Sequence, residues 1–132
     1  MDLARGRLRD LSDRLLRLHA VLLERERRAW EARTGSPPAS QELFRLLLED
    51  PEFSWLRSIS SLIAALDERI DADDAVGDDV VESAYREAYR LLKSGAGGEF
   101  QERYLAALQD SPDVVMAHAD VSKLLRGARV GE

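Results

Sequence analysis

Leu8, Leu11, Leu15, Leu18 and Leu22 recur in alternating steps of three and four residues. That spacing keeps returning to one face of an α-helix and predicts a long amphipathic helix over residues 3–33. Leu16, Leu23, Ala29 and Trp30 are expected to widen or extend its buried stripe. A helix of about 30 residues spans about 45 Å, so one end should overhang a small domain. Gly35 suits a left-handed cap, and Pro37 and Pro38 cannot continue the helical bonding. Ser40 is the expected cap of a short helix, Gln41–Glu49, burying Leu43, Phe44, Leu47 and Leu48. Asp50 then caps, and Pro51 opens, a helix to about Arg69. Its stripe is Phe53, Leu56, Ile59, Leu62, Ile63, Leu66 and Ile70.

After an acidic stretch, Asp79 is the expected cap of a helix to about Ser94. Val81, Ala84, Tyr85, Ala88, Leu91 and Leu92 should face inward. "SGAGG", beginning at Ser94, reads as a flexible joint. A further helix, Glu99–Gln109, should bury Phe100, Tyr104, Leu105 and Leu108. Ser111 and Pro112 open the last helix, with Val114, Val115, Ala119, Ser122 and Leu125 as its seam and Gly127 ending it at about Arg126. No stretch alternates with the period of a strand. The pattern predicts one all-α domain over residues 1–132, a bundle of four main helices with one or two short accessory helices.

Composition narrows the chemistry. There are no cysteines, which excludes disulfides and thiolate metal sites. Apolar runs are too short to span a membrane, and the charged N-terminus does not read as a secretory signal, so the cytoplasm is the expected location. The net charge of −6 argues against nucleic acid as the main partner. Charge is uneven: residues 1–34 carry +3 and the remainder −9. The basic residues are almost all arginine, a bias associated with GC-rich bacterial genomes.

Five aspartates fall between Asp71 and Asp79. Numbered as a calcium-binding helix–loop–helix segment from Asp71, the stretch supplies ligands at positions 1 (Asp71), 3 (Asp73) and 12 (Glu82). Position 5 is Ala75, which offers no side-chain ligand. Position 6 is Val76, where the motif needs glycine for its turn. The better reading is a charged hinge with acids gathered at the next helix N-terminus. His19 and His118 lack the Glu-x-x-His spacing of bundle metal sites, although Glu26 lies two turns beyond His19 on the same face. The serines have no nucleophile-elbow context, and no phosphate-binding glycine loop is present, so no catalytic residue and no cofactor are assigned.

Arg25 to Arg33 combine four arginines with Trp30, a pattern that could contact phosphate and stack a base. Glu24, Glu26 and Glu31 dilute it. In "DPEFSWLRS", Phe53 and Trp55 lie about 200° apart on a continuous helix. One should be core. The other, if exposed beside Arg57, would make a partner anchor.

"LHAVLLERERRAWE", with Leu18, His19, Leu22, Leu23, Glu26, Arg27, Trp30 and Glu31, and "LLLEDPEFSWLRSISSLIAALDE", with Asp50, Pro51, Phe53, Trp55, Leu56, Arg57, Ser60, Leu62, Ile63, Asp67 and Glu68, resemble a group of small helical proteobacterial proteins of unassigned function. "FQERYLAALQDSPDVVMAHA" is similar to that group's tail. The chain departs at Trp30, where a tyrosine is usual, and at Ser58, where a proline is usual. The resemblance implies a helical fold and no activity.

Three functions remain open. The first is a non-enzymatic protein-interaction module or homodimer, using the long first helix or Trp30, Trp55, Arg57, Arg27 and Arg28. A dimer of this kind should weaken on Leu11→Asp or Leu15→Asp. The second is a small-ligand or metal-binding bundle using His19, Glu26 and His118. The third is a nucleic-acid-associated protein using the Arg25–Arg33 helix.

Overall fold

The computed structural model describes residues 3–93 and 97–129. These form seven helices and no strand: α1 (Leu3–Thr34), α2 (Ser40–Glu49), α3 (Pro51–Ser54), α4 (Arg57–Asp71), α5 (Asp78–Lys93), α6 (Glu99–Asp110) and α7 (Pro112–Arg129). The all-α class holds. The expected partition into four main and one or two short helices becomes seven helices among the described residues. Ser94, Gly95 and Ala96, where a helix end and a joint are expected, lie outside the described residues.

Helix α1 is the axis of the fold and packs against α4, α7, α5 and α3. Leu8, Leu11, Leu15, Leu18 and Leu22 are all completely buried. The monomer core therefore consumes this seam. Leu11→Asp or Leu15→Asp would place a charge inside the monomer, so neither can report on a dimer. Leu16 is 56% exposed and Ala29 is exposed, contrary to expectation. Steps averaging 3.5 residues creep round a helix of 3.6 per turn, and the buried face beyond Leu22 passes to Glu26 and then half-buried Trp30. Residues 31–34 are exposed, the overhang that the length predicts. The Gly35 N–H closes the helix on the Glu31 carbonyl (2.7 Å) with φ of 89°, a conformation that favours glycine.

Most boundaries have a visible cause. Asp50 Oδ1 accepts from the Glu52 N–H (2.8 Å), and Pro51 takes the first position of α3. Ser111 Oγ likewise accepts from the Val114 N–H (3.3 Å) at the start of α7. Three expected boundaries differ. Ala39 is the cap residue of α2, without a side-chain bond, and Ser40 is already helical. Gly77, not Asp79, precedes α5, so Asp78 and Asp79 both lie in its first turn, where the helix dipole favours acids. Helix α7 continues past Gly127, because a lone glycine weakens a helix without ending it.

The expected single helix from Pro51 is broken at Trp55 and Leu56. Both residues keep right-handed helical dihedrals. The Leu56 N–H turns back to the Phe53 carbonyl (3.1 Å), tightening the chain by one residue. Phe53 (0% exposed) and Trp55 (6%) are both in the interior on either side of this turn. Other inward faces also shift. In α2 the buried residue is Leu46, while Phe44 and Leu48 are exposed. In α6 it is Ala107 rather than Leu105, and in α7 Ala117 and Val121 replace Val115 and Ala119.

The acidic stretch is tied down from α1. Arg5 Nη1 donates to the carbonyls of Ile70 and Ala72 (3.0 Å) at the end of α4, and Nη2 to that of Asp74 (2.8 Å). A cation thus meets the negative end of the α4 dipole. Tyr85 Oη donates to the Arg7 carbonyl (2.9 Å), fixing α5 on the same end of α1. Replacing Arg5 by Ala should cost about 1–3 kcal/mol through the lost charge-assisted bonds. A denaturant midpoint unchanged from wild type would show that these bonds hold nothing.

Candidate functional site

The best-defined polar centre lies where the second half of α1 meets α3, α6 and the start of α7. Glu26 is 5% exposed, on the buried face of α1. Its Oε1 accepts from Arg25 Nη1 (2.6 Å). The same guanidinium grips Asp110, at the end of α6, through Nε (2.8 Å) and Nη2 (2.6 Å). This two-point fork joins residues 85 apart in sequence. Burial pushes the Glu26 carboxyl above its ordinary range, against the lowering effect of Arg25. The hydrogen bond from Arg25 holds Asp110 below its ordinary range. Nearby, Glu52 receives Arg103 (3.6 Å) and Arg33 (3.9 Å), joining α3 to α6 and to the overhang of α1.

A ladder of rings runs beside this network. Trp30 meets Phe53 edge-on (5.9 Å between centroids), and Arg33 lies over the Trp30 ring. Trp55 packs on Phe100 (5.5 Å), Phe100 stacks on Tyr104, and Tyr104 meets His118. Trp55 satisfies its indole N–H on the Glu52 carbonyl (3.1 Å). It is a core residue, so its exposed neighbour Arg57 has no exposed indole to work with. Trp30 is half-buried, with Arg33 over its ring.

The two histidines occupy different environments. Tyr104 Oη and His118 Nδ1 are 2.6 Å apart, and Lys93 bonds Ser122 (2.5 Å) close by. Burial, aided by the Lys93 charge, lowers the His118 pKa. Burial alone lowers that of His19, whose Nε2 is enclosed without a hydrogen-bond partner. Among the described residues no three His or acidic side chains are grouped closely enough to hold a metal ion, so neither histidine belongs to such a group. Asp71, Asp73 and Glu82 are accordingly not assembled into a calcium site, and Glu26 is engaged by Arg25 rather than by His19.

The arginine-rich end of α1 is largely neutralised. Arg27 (3.5 Å) and Arg28 (3.3 Å) both reach Glu24, Arg25 serves Asp110 and Glu26, and Arg33 serves Glu52. At the opposite end, a groove of about 900 Å³ lies between α1, α5 and α7. Arg7, Arg14, Arg17 and Lys123 line it together with Asp10, Asp13 and Asp120, over the ring of Tyr85. Its charges are mixed, so it concentrates no field of one sign.

One surface feature that the sequence pattern misplaced is on α2. Phe44 is 67% and Leu48 48% exposed, one turn apart, so they form a continuous apolar edge. A signal for this was present. Leu43, Phe44, Leu46, Leu47 and Leu48 cover more than half the circumference of a ten-residue helix, more than one buried face can absorb. The Arg25–Asp110 and Tyr104–His118 contacts left no such signal, because pairing between distant helices has no sequence period.

Comparison with protein-family models, curated proteins and solved structures gives no match. No helix among the described residues is long and apolar enough to cross a membrane.

Two outcomes follow from the network and the histidines. Arg25→Met should cost about 3–5 kcal/mol because it leaves Glu26 buried and unpaired, whereas Asp110→Asn, at an exposed partner, should cost about 1 kcal/mol or less. Adding Glu26→Leu to Arg25→Met should recover most of the loss in denaturant titrations; equal costs for the two single changes would contradict the network. For the histidines, the folded-state pKa lies below the unfolded value of about 6.5, so the unfolded chain takes up protons first. Their stabilisation is complete above that pH and is lost as pH falls through it, by up to about 1.4 kcal/mol per pH unit for each histidine. Melting temperature should fall between about pH 7 and 5.5, and the His19→Leu/His118→Gln variant should flatten that slope; an unchanged slope would exclude these groups as its source.

Proposed function

We propose that this is a non-enzymatic protein-interaction module, acting in the bacterial cytoplasm, whose contact face is the outer edge of α2. The observation that carries it is the pair Phe44 and Leu48, exposed on a helix whose packing is chiefly with α3. An aromatic and a leucine one turn apart are the anchors that a helix-in-groove or helix-on-helix contact uses. Lack of cysteine is compatible with a reducing compartment.

The other candidate chemistries have less support. Trp55 is spent in the core. Arg27 and Arg28 keep acid partners, which weakens a nucleic-acid role. His19 and His118 do not meet a third ligand among the described residues, which weakens a metal role.

Phe44→Ser with Leu48→Ser separates an interaction edge from a structural one. The double variant should keep the wild-type melting temperature to within a few degrees, since exposed side chains contribute little to the monomer. Affinity capture from the source cell extract should retain at least one protein on the wild-type chain and lose it on the variant. Identical capture by both, or a large drop in melting temperature, would overturn the assignment.

A further inference from the structure

We infer that the groove between α1, α5 and α7 binds a small oxyanion, a phosphate- or carboxylate-bearing molecule, seated on Arg7 and Arg14. The site shares no residue with the α2 edge and stands or falls apart from it. Summed over the groove, cations and acids nearly balance, yet they are sorted by depth. On α1 the helical angle places Arg7 and Arg14 beside the leucine seam, and both are half-buried. Asp10 and Asp13 point further from the seam and are exposed. On α7, Leu124 is half-buried, while Asp120, Lys123 and Gly127 are exposed. Tyr85, buried, lies beneath: Arg7 sits over its ring (5.2 Å to the centroid), and its hydroxyl donates to the Arg7 carbonyl. The interior of the groove is therefore cationic, and its acids stand on the rim.

Among the described residues Arg7 and Arg14 form no ion pair, whereas Arg17 on the rim holds Asp120 at 3.5 Å. Arg14 turns Nη1 back to the Asp10 carbonyl (3.1 Å), which uses one of its several donors. A half-buried guanidinium is less screened by salt than an exposed one, so it gains more from an anion. Its planar fork matches the oxygens of carboxylate and phosphate. The rim acids select for size: they repel a long polyanion laid across the mouth and admit a small anion that passes between them. The volume of about 900 Å³ falls within the range of small-molecule sites. Gly127 leaves the mouth open. It lies within α7, and a Cβ there would meet nothing within 4 Å. Packing does not require glycine at this position, and most other residues favour the helix more.

Two-dimensional NMR of the full chain, titrated with inorganic phosphate and separately with citrate at constant ionic strength, tests the site. Amide shifts should saturate along the groove, at Arg7, Arg14, Tyr85, Leu124 and Gly127. The tighter of the two anions tells whether the group recognised is a phosphate or a carboxylate. Arg7→Gln and Arg14→Gln should each weaken binding about tenfold, the loss of one charge-assisted hydrogen bond. Arg14 is bonded within its own helix, so Arg14→Gln reads binding without disturbing the packing between helices. Arg28→Gln removes the same charge from the other end of α1 and should leave binding unchanged. Gly127→Leu should weaken binding while the melting temperature stays level or rises. No saturating shift with either anion, equal shifts at arginines all along α1, or binding indifferent to Arg7→Gln and Arg14→Gln would each overturn the site.

Discussion

The leucines at positions 8, 11, 15, 18 and 22 have no exposed surface, and the helices that pack on α1 keep them so. A single helix cannot bury its own apolar stripe, so α4, α5 and α7 close around α1. Burying one such leucine stabilises the fold by about 1.5–3 kcal/mol relative to leaving it exposed. Ile59, Ile63 and Leu66 from α4, Val81 and Ala88 from α5, and Val114, Val121 and Leu125 from α7 complete the same core.

Beside the leucine seam runs a second line, spaced by seven: Arg5, Ser12, His19 and Glu26. Arg5 caps the end of α4, Ser12 Oγ donates to Asp67 (2.8 Å), and Glu26 engages Arg25. His19 is the member whose ring nitrogen finds no partner. The leucines supply affinity between the helices, while Arg5 and Ser12, the members of the polar line that reach across, tie α1 to the end of α4, so a slip between those two helices would break these bonds.

Function is read from what this arrangement leaves uncovered. The core takes Phe53 and Trp55, just after the Asp50–Pro51 turn, the arginines near the end of α1 find carboxylates, and the groove at the other end mixes its charges. Among the apolar side chains left exposed, which include Leu16, Leu105, Val115 and Met116, Phe44 and Leu48 form an edge one turn apart on a helix at the margin of the fold. Its chemistry is that of contact, with no reactive group beside it.

Local periodicity was enough to determine the all-α class, the run of α1, the caps at Asp50 and Ser111, the left-handed stop at Gly35 and the core stripes of α1, α4 and α5. Each of these depends on residues within one or two turns of one another. Packing between distant helices decided the rest. Phe53 and Trp55 are both interior because α1 brings Trp30 to the first and α6 brings Phe100 to the second. Glu26 is buried where the drifting seam comes to lie near Glu52 of α3 and Arg103 of α6. Phe44 and Leu48 are exposed because α2 carries more apolar circumference than α3 can cover. None of these has a period along the chain, since each is set by which neighbour arrives and from which side.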